Sequence, residues 1–183
     1  MAKRILIAYF SRPGENLVDD QVVDIGPVGN TKRAAELLQA ALKEKGMDAD
    51  LYEIKTIVPY SASYQECMLR AKEEKTNDLR PAIEEGPVKF DFYDIAFLGY
   101  PNWWGTCPMP VLSFCKNHVW DGKMLLPFVT HGGQLFLYSV DAIRQEAKNA
   151  EVIESFAIAA SYMETAKSVV DNWVNDYQMI LGD

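Results

Sequence analysis

Residues 94–110 read DIAFLGYPNWWGTCPMP, and no other segment of the sequence says more about the fold. The apolar run at 95–98 predicts a strand, and two adjacent tryptophans follow it in a turn that contains Pro and Gly. Pro101 has no N–H for a strand ladder and Gly105 frees the backbone, so we expect the segment to leave the sheet at its carboxyl edge. Open α/β sheets bind ligands at that edge.

The turn itself has the chemistry of a site for a flat ligand. Trp103 and Trp104 offer stacking area, while the Asn102 amide and the backbone N–H groups offer hydrogen bonds in one plane. A planar heteroaromatic molecule needs both. The alternative is that the two rings form a hydrophobic plug beneath a loop.

Strand and helix patterns alternate along the rest of the chain. Strands are expected over 5–10, 50–54, 95–99, 124–130 and 153–159, with helical periods between them. A capping box at Ser161 and Glu164 is expected to open the last helix. Pro127 lies inside the fourth strand and predicts a bulge or an unpaired donor position. The economical fold is a five-stranded parallel sheet between two layers of helices.

Composition limits the kinds of function that are compatible with the chain. A length of 183 residues with 49% hydrophobic content predicts one domain over 1–183. The net charge of -8 argues against nucleic acid and anionic membranes as partners but allows basic protein surfaces. The apolar run at 5–10 is too short for a secretory or membrane-spanning segment, so we expect a cytoplasmic protein. The three cysteines and two histidines lack the spacing of a metal site, and we expect buried or half-buried thiols.

The first strand is followed by a candidate phosphate loop. The strand ends at Ser11, and the next helix begins near Gly29, Asn30 and Thr31, after an insertion over 12–28 that starts with Arg12. Unpaired N–H groups and the positive end of the helix dipole attract an anion to such an entrance, and hydroxyls add donors. Arg12 would add a cation. The alternative is that Asn30 or Thr31 only caps the helix.

A third candidate loop follows the fourth strand. Thr130 and His131 precede Gly132 and Gly133, and paired glycines let a ligand edge approach backbone amides. Taken alone, this loop more often forms an ordinary strand-to-helix turn. His131 could act as a general base, but a single loop histidine is more often a hydrogen-bonding or solvated residue. The three loops together predict a phosphorylated planar ligand along one sheet edge.

This combination resembles flavodoxins, and most closely the bacterial flavodoxin-like proteins in which an insertion splits the phosphate loop. The resemblance covers nearly the whole chain and is most specific in the run YPNWWG at 100–105. It implies a flavodoxin-like three-layer α/β sandwich with strand order 2-1-3-4-5 and non-covalently bound FMN. The residues that it assigns to the phosphate and to the isoalloxazine ring are Ser11, Arg12, Gly29, Asn30, Thr31, Tyr100, Pro101, Asn102, Trp103, Trp104, Gly105, Thr130, His131, Gly132 and Gly133.

The resemblance also implies that the cofactor carries the chemistry, so no catalytic side chain is expected. We expect an FMN-binding electron-transfer protein that docks on a redox partner protein. Two alternatives stay open: an FMN-dependent NAD(P)H:quinone-type oxidoreductase with a small quinone-like substrate, and an interaction module that has lost FMN. Residues 134–137 add bulk that would shield the ring, block a partner or prevent flavin binding. Residues 56–87 suggest an oligomer contact or a lid.

Overall fold

Strands and helices alternate along the computed structural model, which describes residues 3–85, 89–133 and 135–182. The strands are β1 (Ile5–Tyr9), β2 (Glu15–Val18), β3 (Gln21–Asp24), β4 (Ala49–Glu53), β5 (Ile95–Pro101), β6 (Met124–His131), β7 (Glu151–Val152) and β8 (Ala157–Ala159). The α-helices are α1 (Asn30–Glu44), α2 (Tyr64–Thr76), α3 (Met109–Lys116), α4 (Ser139–Glu146) and α5 (Ala166–Gly182). Short 3-10 helices cover Phe90–Phe92 and Ala160–Thr165. In the described ranges, every helix falls short of the combined length and apolarity needed to cross a membrane.

The central sheet is parallel and has the order that the sequence predicts. It runs β4-β1-β5-β6, with β7 and β8 sharing the edge beside β6. In the register, Ile7 of β1 lies between Leu51 of β4 and Phe97 of β5. With β7 and β8 taken as one edge strand, this is the order 2-1-3-4-5, and the prediction is confirmed.

Helices cover both faces of the sheet and create two hydrophobic cores. Leu38 of α1 and Val170 of α5 pack with Phe97 on one face. Phe114 of α3 packs with Leu98 on the other, in a core that includes all three cysteines. The prediction of buried thiols is therefore confirmed. Because both faces of β1 are covered, its five residues are all buried, which explains its unbroken apolar run.

The edge strand differs from the prediction. It does not run continuously over 153–159 but is split into Glu151–Val152 and Ala157–Ala159. Pro127 of β6 lies opposite the gap, where its carbonyl accepts hydrogen bonds from the backbone N–H (3.0 Å) and the hydroxyl (2.6 Å) of Ser155. Pro127 has no N–H to donate on that side, so the ladder cannot continue. The predicted unpaired donor position is found here, and it interrupts the neighbouring strand.

The last helix begins later than predicted. Residues 160–165 form a 3-10 helix without a side-chain cap, so Ser161 and Glu164 do not act as a capping box. Tyr162 has a non-helical backbone (φ -111°, ψ 19°), and the Thr165 hydroxyl donates to the Tyr162 carbonyl (3.0 Å). This kink separates the predicted cap from the helix that it was expected to open. The α-helix proper starts at Ala166.

The insertion at 12–28 folds into an antiparallel hairpin of β2 and β3. Asp19 and Asp20 form its turn with positive φ values of 46° and 62°, as a type I′ turn requires. The Glu15 carboxylate accepts a hydrogen bond from the backbone N–H of Tyr64 (2.7 Å). The hairpin is therefore attached to the first residue of α2.

Candidate functional site

A cleft of about 750 Å³ opens at the carboxyl edge of the sheet, within the usual size range of ligand pockets. It lies at the ends of β5 and β6 and is walled by the hairpin and by the first half of α2. Its lining residues are Arg12, Asn16, Leu17, Asp20, Asn30, Thr31, Tyr64, Gln65, Met68, Leu69, Pro101, Asn102, Trp103, Trp104, Thr130, His131, Gly132, Gly133 and Ala160. Of the predicted site residues, Ser11, Gly29, Tyr100 and Gly105 are not in this lining.

The hairpin does not separate the two halves of the first loop in space. Gly29 lies so close to the end of β1 that a Cβ there would overlap the Ser11 hydroxyl and the Arg12 carbonyl. The Ser11 Oγ accepts a hydrogen bond from the backbone N–H of Lys32 (3.1 Å). Ser11, which was predicted to contact phosphate, therefore accepts a backbone hydrogen bond from the first turn of α1, although it lies in the loop after β1.

Gly29 is the N-cap residue of α1, and it makes no side-chain cap bond. The capping alternative for Asn30 and Thr31 is wrong, because both lie inside the helix. The first turn of α1 carries no acidic residue that would neutralise the positive end of the helix dipole. The α1 entrance therefore keeps its capacity to attract an anion.

Two threonines from different loops meet in the cleft wall. Thr31 Oγ1 and Thr130 Oγ1 are 2.8 Å apart, and the residues are only 2% and 4% exposed. Each hydroxyl carries one hydrogen, so one hydroxyl donates to the other and a single hydrogen is left over. Among the described residues, the two hydroxyls have no further hydrogen-bond partner. That hydrogen lies beside the α1 N-terminus and suits an anionic acceptor.

Arg12 lines the cleft, but its guanidinium is bonded to the backbone. Nη2 donates to the carbonyls of Ser61 (2.9 Å) and Ala62 (2.6 Å). Nε donates to the Ser61 carbonyl (3.2 Å), and Nη1 donates to the backbone carbonyl of Glu15. The side chain is buried, with 8% of its surface exposed. Arg12 thus joins the hairpin to the loop before α2. The sequence suggested it as a cation for a phosphate, but its guanidinium nitrogens all donate to backbone carbonyls.

Two residues of the second loop also use their polar groups in bonds within the protein. Tyr100 is fully buried, and its hydroxyl lies 2.9 Å from the hydroxyl of Ser139. The Asn102 amide donates to the Leu135 carbonyl (2.6 Å) and accepts from the Gly105 N–H (3.0 Å). Asn102 therefore joins the second and third loops, although it was predicted to bond a ligand.

The two tryptophans have different environments. Trp103 is 7% exposed and packs edge-on against Phe10 (5.4 Å between ring centroids) and Tyr60 (5.2 Å). Trp104 is 46% exposed and has a positive φ of 55°, and its Nε1 donates to the Met68 carbonyl (2.9 Å). Both rings line the cleft. The plug alternative applies only to Trp103, which is also part of the core.

Helix α2 is a cleft wall that sequence reasoning missed. Its residues Tyr64, Gln65, Met68 and Leu69 line the cleft. In the sequence, Tyr64, Cys67, Met68 and Ala71 recur at helical spacing, and periodicity cannot tell a face that packs on a core from one that lines a cleft. Lys75 Nζ donates to the Trp104 carbonyl (2.6 Å), which holds the second loop against this wall.

Beyond Gly133, the described residues of the third loop do not line the cleft. Leu135 and Leu137 are exposed and do not line it. The segment is held away from the cleft through the Asn102 bond to Leu135 and through the Tyr138 N–H, which donates to the Gly105 carbonyl (3.2 Å). Of the predicted bulky segment 134–137, residue 134 lies outside the described residues.

His131 has one defined partner. Its Nδ1 accepts a hydrogen bond from the backbone N–H of Gly133 (3.1 Å), and burial lowers its pKa from the ordinary value. The imidazole is therefore neutral at pH 7.

The comparisons with known proteins agree with this geometry. A family model described as flavodoxin matches residues 4–177. The chain belongs to the flavodoxin family. No curated protein matches the sequence of this flavodoxin.

Solved structures share the fold over nearly the full length of this flavodoxin. A protein of Bacteroides eggerthii designated a flavoprotein is 28% identical, with 95% of this chain and 97% of that chain covered and a TM-score of 0.71. One of Bacteroides uniformis is 22% identical, with 96% and 99% covered and a TM-score of 0.72. The flavoprotein of Lactobacillus acidophilus, solved in complex with FMN, is 24% identical, with 94% and 99% covered and a TM-score of 0.66.

Proposed function

We propose that this flavodoxin binds FMN in the cleft and transfers electrons to or from a redox partner protein. The observation that carries the proposal is the Thr31–Thr130 hydroxyl pair at the α1 N-terminus, in a cleft that Trp103 and Trp104 also line. A phosphate fits the helix entrance and the spare hydroxyl hydrogen. The L. acidophilus relative, solved with FMN, supports the same ligand.

The residues divide between the two ends of FMN. Asn30, Thr31 and the free N–H groups of the first α1 turn would hold the phosphate. The loop of Trp103 and Trp104 would hold the isoalloxazine against the turn after Thr130. Bound FMN supplies the electron chemistry, while the protein sets its orientation and its access to solvent.

Electron transfer to a protein partner is favoured over a quinone-type reductase. A quinone-type reductase needs a substrate pocket over the flavin ring. The bulk of segment 134–137 could have formed one, but Leu135 and Leu137 lie outside the cleft lining. The net charge of -8 suits a basic redox partner, since complementary charge speeds encounter.

The first test is stoichiometric FMN binding. Protein incubated with FMN and desalted is expected to keep about one flavin per chain, and riboflavin, which lacks the phosphate, is expected to bind more weakly. Loss of all flavin on desalting, with no heat in titration calorimetry, would favour the interaction module instead.

The second test separates the carrier from the reductase. FMN-loaded protein is mixed anaerobically with NADH or NADPH, with and without a flavodoxin reductase. We expect the flavin to bleach only when the reductase is present. Direct bleaching by nicotinamide, followed by multiple turnovers with a benzoquinone, would establish the enzyme alternative.

A further inference from the structure

The Gly132–Gly133 turn fixes the tautomer of His131. A backbone N–H can only donate, so the Gly133 N–H requires a lone pair on His131 Nδ1, 3.1 Å away. The neutral ring must then carry its hydrogen on Nε2. Gly133 has a φ of 134°, which residues with a side chain rarely adopt. The second glycine therefore allows the turn to fold back onto the imidazole.

Few charged groups face this imidazole. From the hairpin, Arg12 and Asp20 line the same cleft, and the Arg12 guanidinium is bonded to backbone carbonyls. From α2, the one titratable lining group is Tyr64, whose pKa is raised mainly by burial, so it is neutral at pH 7. The described lining residues of α1, β5 and the segment after β8 are uncharged. Burial, rather than a neighbouring charge, keeps His131 neutral.

We propose that His131 couples electron uptake in the cleft to proton uptake. It stays neutral while bound FMN is oxidised, and it takes one proton at Nδ1 when the reduced ring carries a negative charge. This inference rests on the proposed function, because it requires FMN in the cleft.

The proton balance is simple. Two electrons from the redox partner protein and one proton from water would reduce bound isoalloxazine and leave one negative charge on it. His131 takes a second proton from water and becomes an imidazolium, which a nearby negative charge favours. Nδ1 then carries a hydrogen that faces the Gly133 N–H, so their hydrogen bond must break. Until the isoalloxazine becomes anionic, the hydrogen bond from the Gly133 N–H and burial both oppose protonation of the His131 imidazole.

The chain has two histidines, so proton NMR can follow His131 without ambiguity. His118 is an internal control, because its Nδ1 lies 2.7 Å from the Phe114 carbonyl and its ring packs on Phe90 and Phe114, away from the cleft lining. FMN-loaded protein is titrated in the oxidised state and again after reduction, with His131→Gln to assign the signals. We expect the His131 midpoint to rise by at least about one pH unit on reduction, a tenfold gain in proton affinity, while His118 does not move. An unchanged His131 midpoint would overturn the proposal.

The redox potential gives an independent readout. For a two-electron couple, a tenfold change in equilibrium constant is about 30 mV, so each proton taken up adds about 30 mV per pH unit. Between the two His131 midpoints, the wild type is expected to show about twice the pH slope of His131→Gln, and His118→Gln is expected to follow the wild type. Equal slopes in the wild type and in His131→Gln would sink the idea while leaving FMN binding intact.

A third measurement needs no flavin. In the apoprotein, nitrogen-15 shifts are expected to show an unprotonated His131 Nδ1 at pH 7, and a protonated Nδ1 contradicts the proposal. If His131→Gln fails to fold, His131→Asn serves in its place for both signal assignment and the potential. If desalting removes all FMN, the proposed function fails and this inference fails with it.

Discussion

At the scale of single residues, the site depends on how each polar side chain uses its hydrogen-bonding groups. Ser11, Arg12 and Asn102 are all of types that bind ligands, yet each bonds to the protein backbone here. The Thr31–Thr130 pair differs, because its two hydroxyls satisfy each other and leave one hydrogen for something else. The strongest residue-level test therefore concerns Thr31.

Thr31→Ala should weaken FMN binding through loss of a hydrogen bond to the phosphate. A hydrogen bond to a charged group contributes about 1.5 to 3 kcal/mol, so the Kd should rise roughly 10- to 100-fold. Titration calorimetry with FMN and with riboflavin measures the effect, and riboflavin affinity should barely change. Thr31→Ser keeps the hydroxyl and is the matched control. If Thr31→Ala weakened FMN and riboflavin binding by the same factor, Thr31 would not be a ligand of the phosphate.

Trp103 and Trp104 should differ in how much each contributes to the stability of the fold. Trp103 is buried against Phe10 and Tyr60, so Trp103→Ala should lower the unfolding free energy of the apoprotein by about 3 to 5 kcal/mol. Trp104 is nearly half exposed, and Trp104→Ala should cost about 1 kcal/mol or less. Urea unfolding gives both numbers. Similar losses in the two variants would mean that Trp103 is not a structural member of the core.

At the scale of elements, the cleft is built by an attachment between the hairpin and α2. Arg12 bonds the carbonyls of Ser61 and Ala62, and Glu15 bonds the first N–H of α2. These contacts place α2 as a wall of the cleft. For residues 56–87 the sequence left open a lid or an oligomer contact, and within that range Tyr64, Gln65, Met68 and Leu69 line the cleft.

Arg12→Met should loosen this attachment. The partly buried carbonyls of Glu15, Ser61 and Ala62 lose a charged donor, and we expect this to lower the unfolding free energy by about 1 to 3 kcal/mol. Because Arg12 shapes the wall, FMN and riboflavin affinities should fall by the same factor, and amide hydrogen exchange should quicken over 14–24 and 64–69. Arg144→Met, at an exposed arginine of α4, is the control. A loss confined to FMN would instead make Arg12 a direct phosphate ligand.

At the scale of the whole molecule, pH acts on stability through the two histidines. Burial lowers the pKa of His118 and of His131 below the ordinary 6.5, so the folded state binds fewer protons than the unfolded state. The unfolding free energy should therefore fall as pH drops from about 7 to about 5. Urea midpoints across this range measure it. The double variant His118→Gln, His131→Gln should show a flatter profile, and an equally steep one would assign the loss to other groups.

The sequence by itself determined the layers of the fold and the edge that carries the site. Apolar runs depend on local burial, so they located β1, β4, β5 and β6 within a few residues. Parallel strands end at one edge, so three loops that follow three strands had to meet there. This is why most of the predicted site residues lie in one cleft.

Only the tertiary structure decided which of those residues face the cleft. Thr31 and Thr130 bond across 99 positions and Arg12 and Ser61 across 49, and no local pattern encodes such pairs. The hairpin and the α2 wall were missed for the same reason, since a polar insertion and an amphipathic helix look alike whether they face solvent or a ligand. A residue's type states which bonds it can make, and its neighbours in the folded chain decide which of them remain for a ligand.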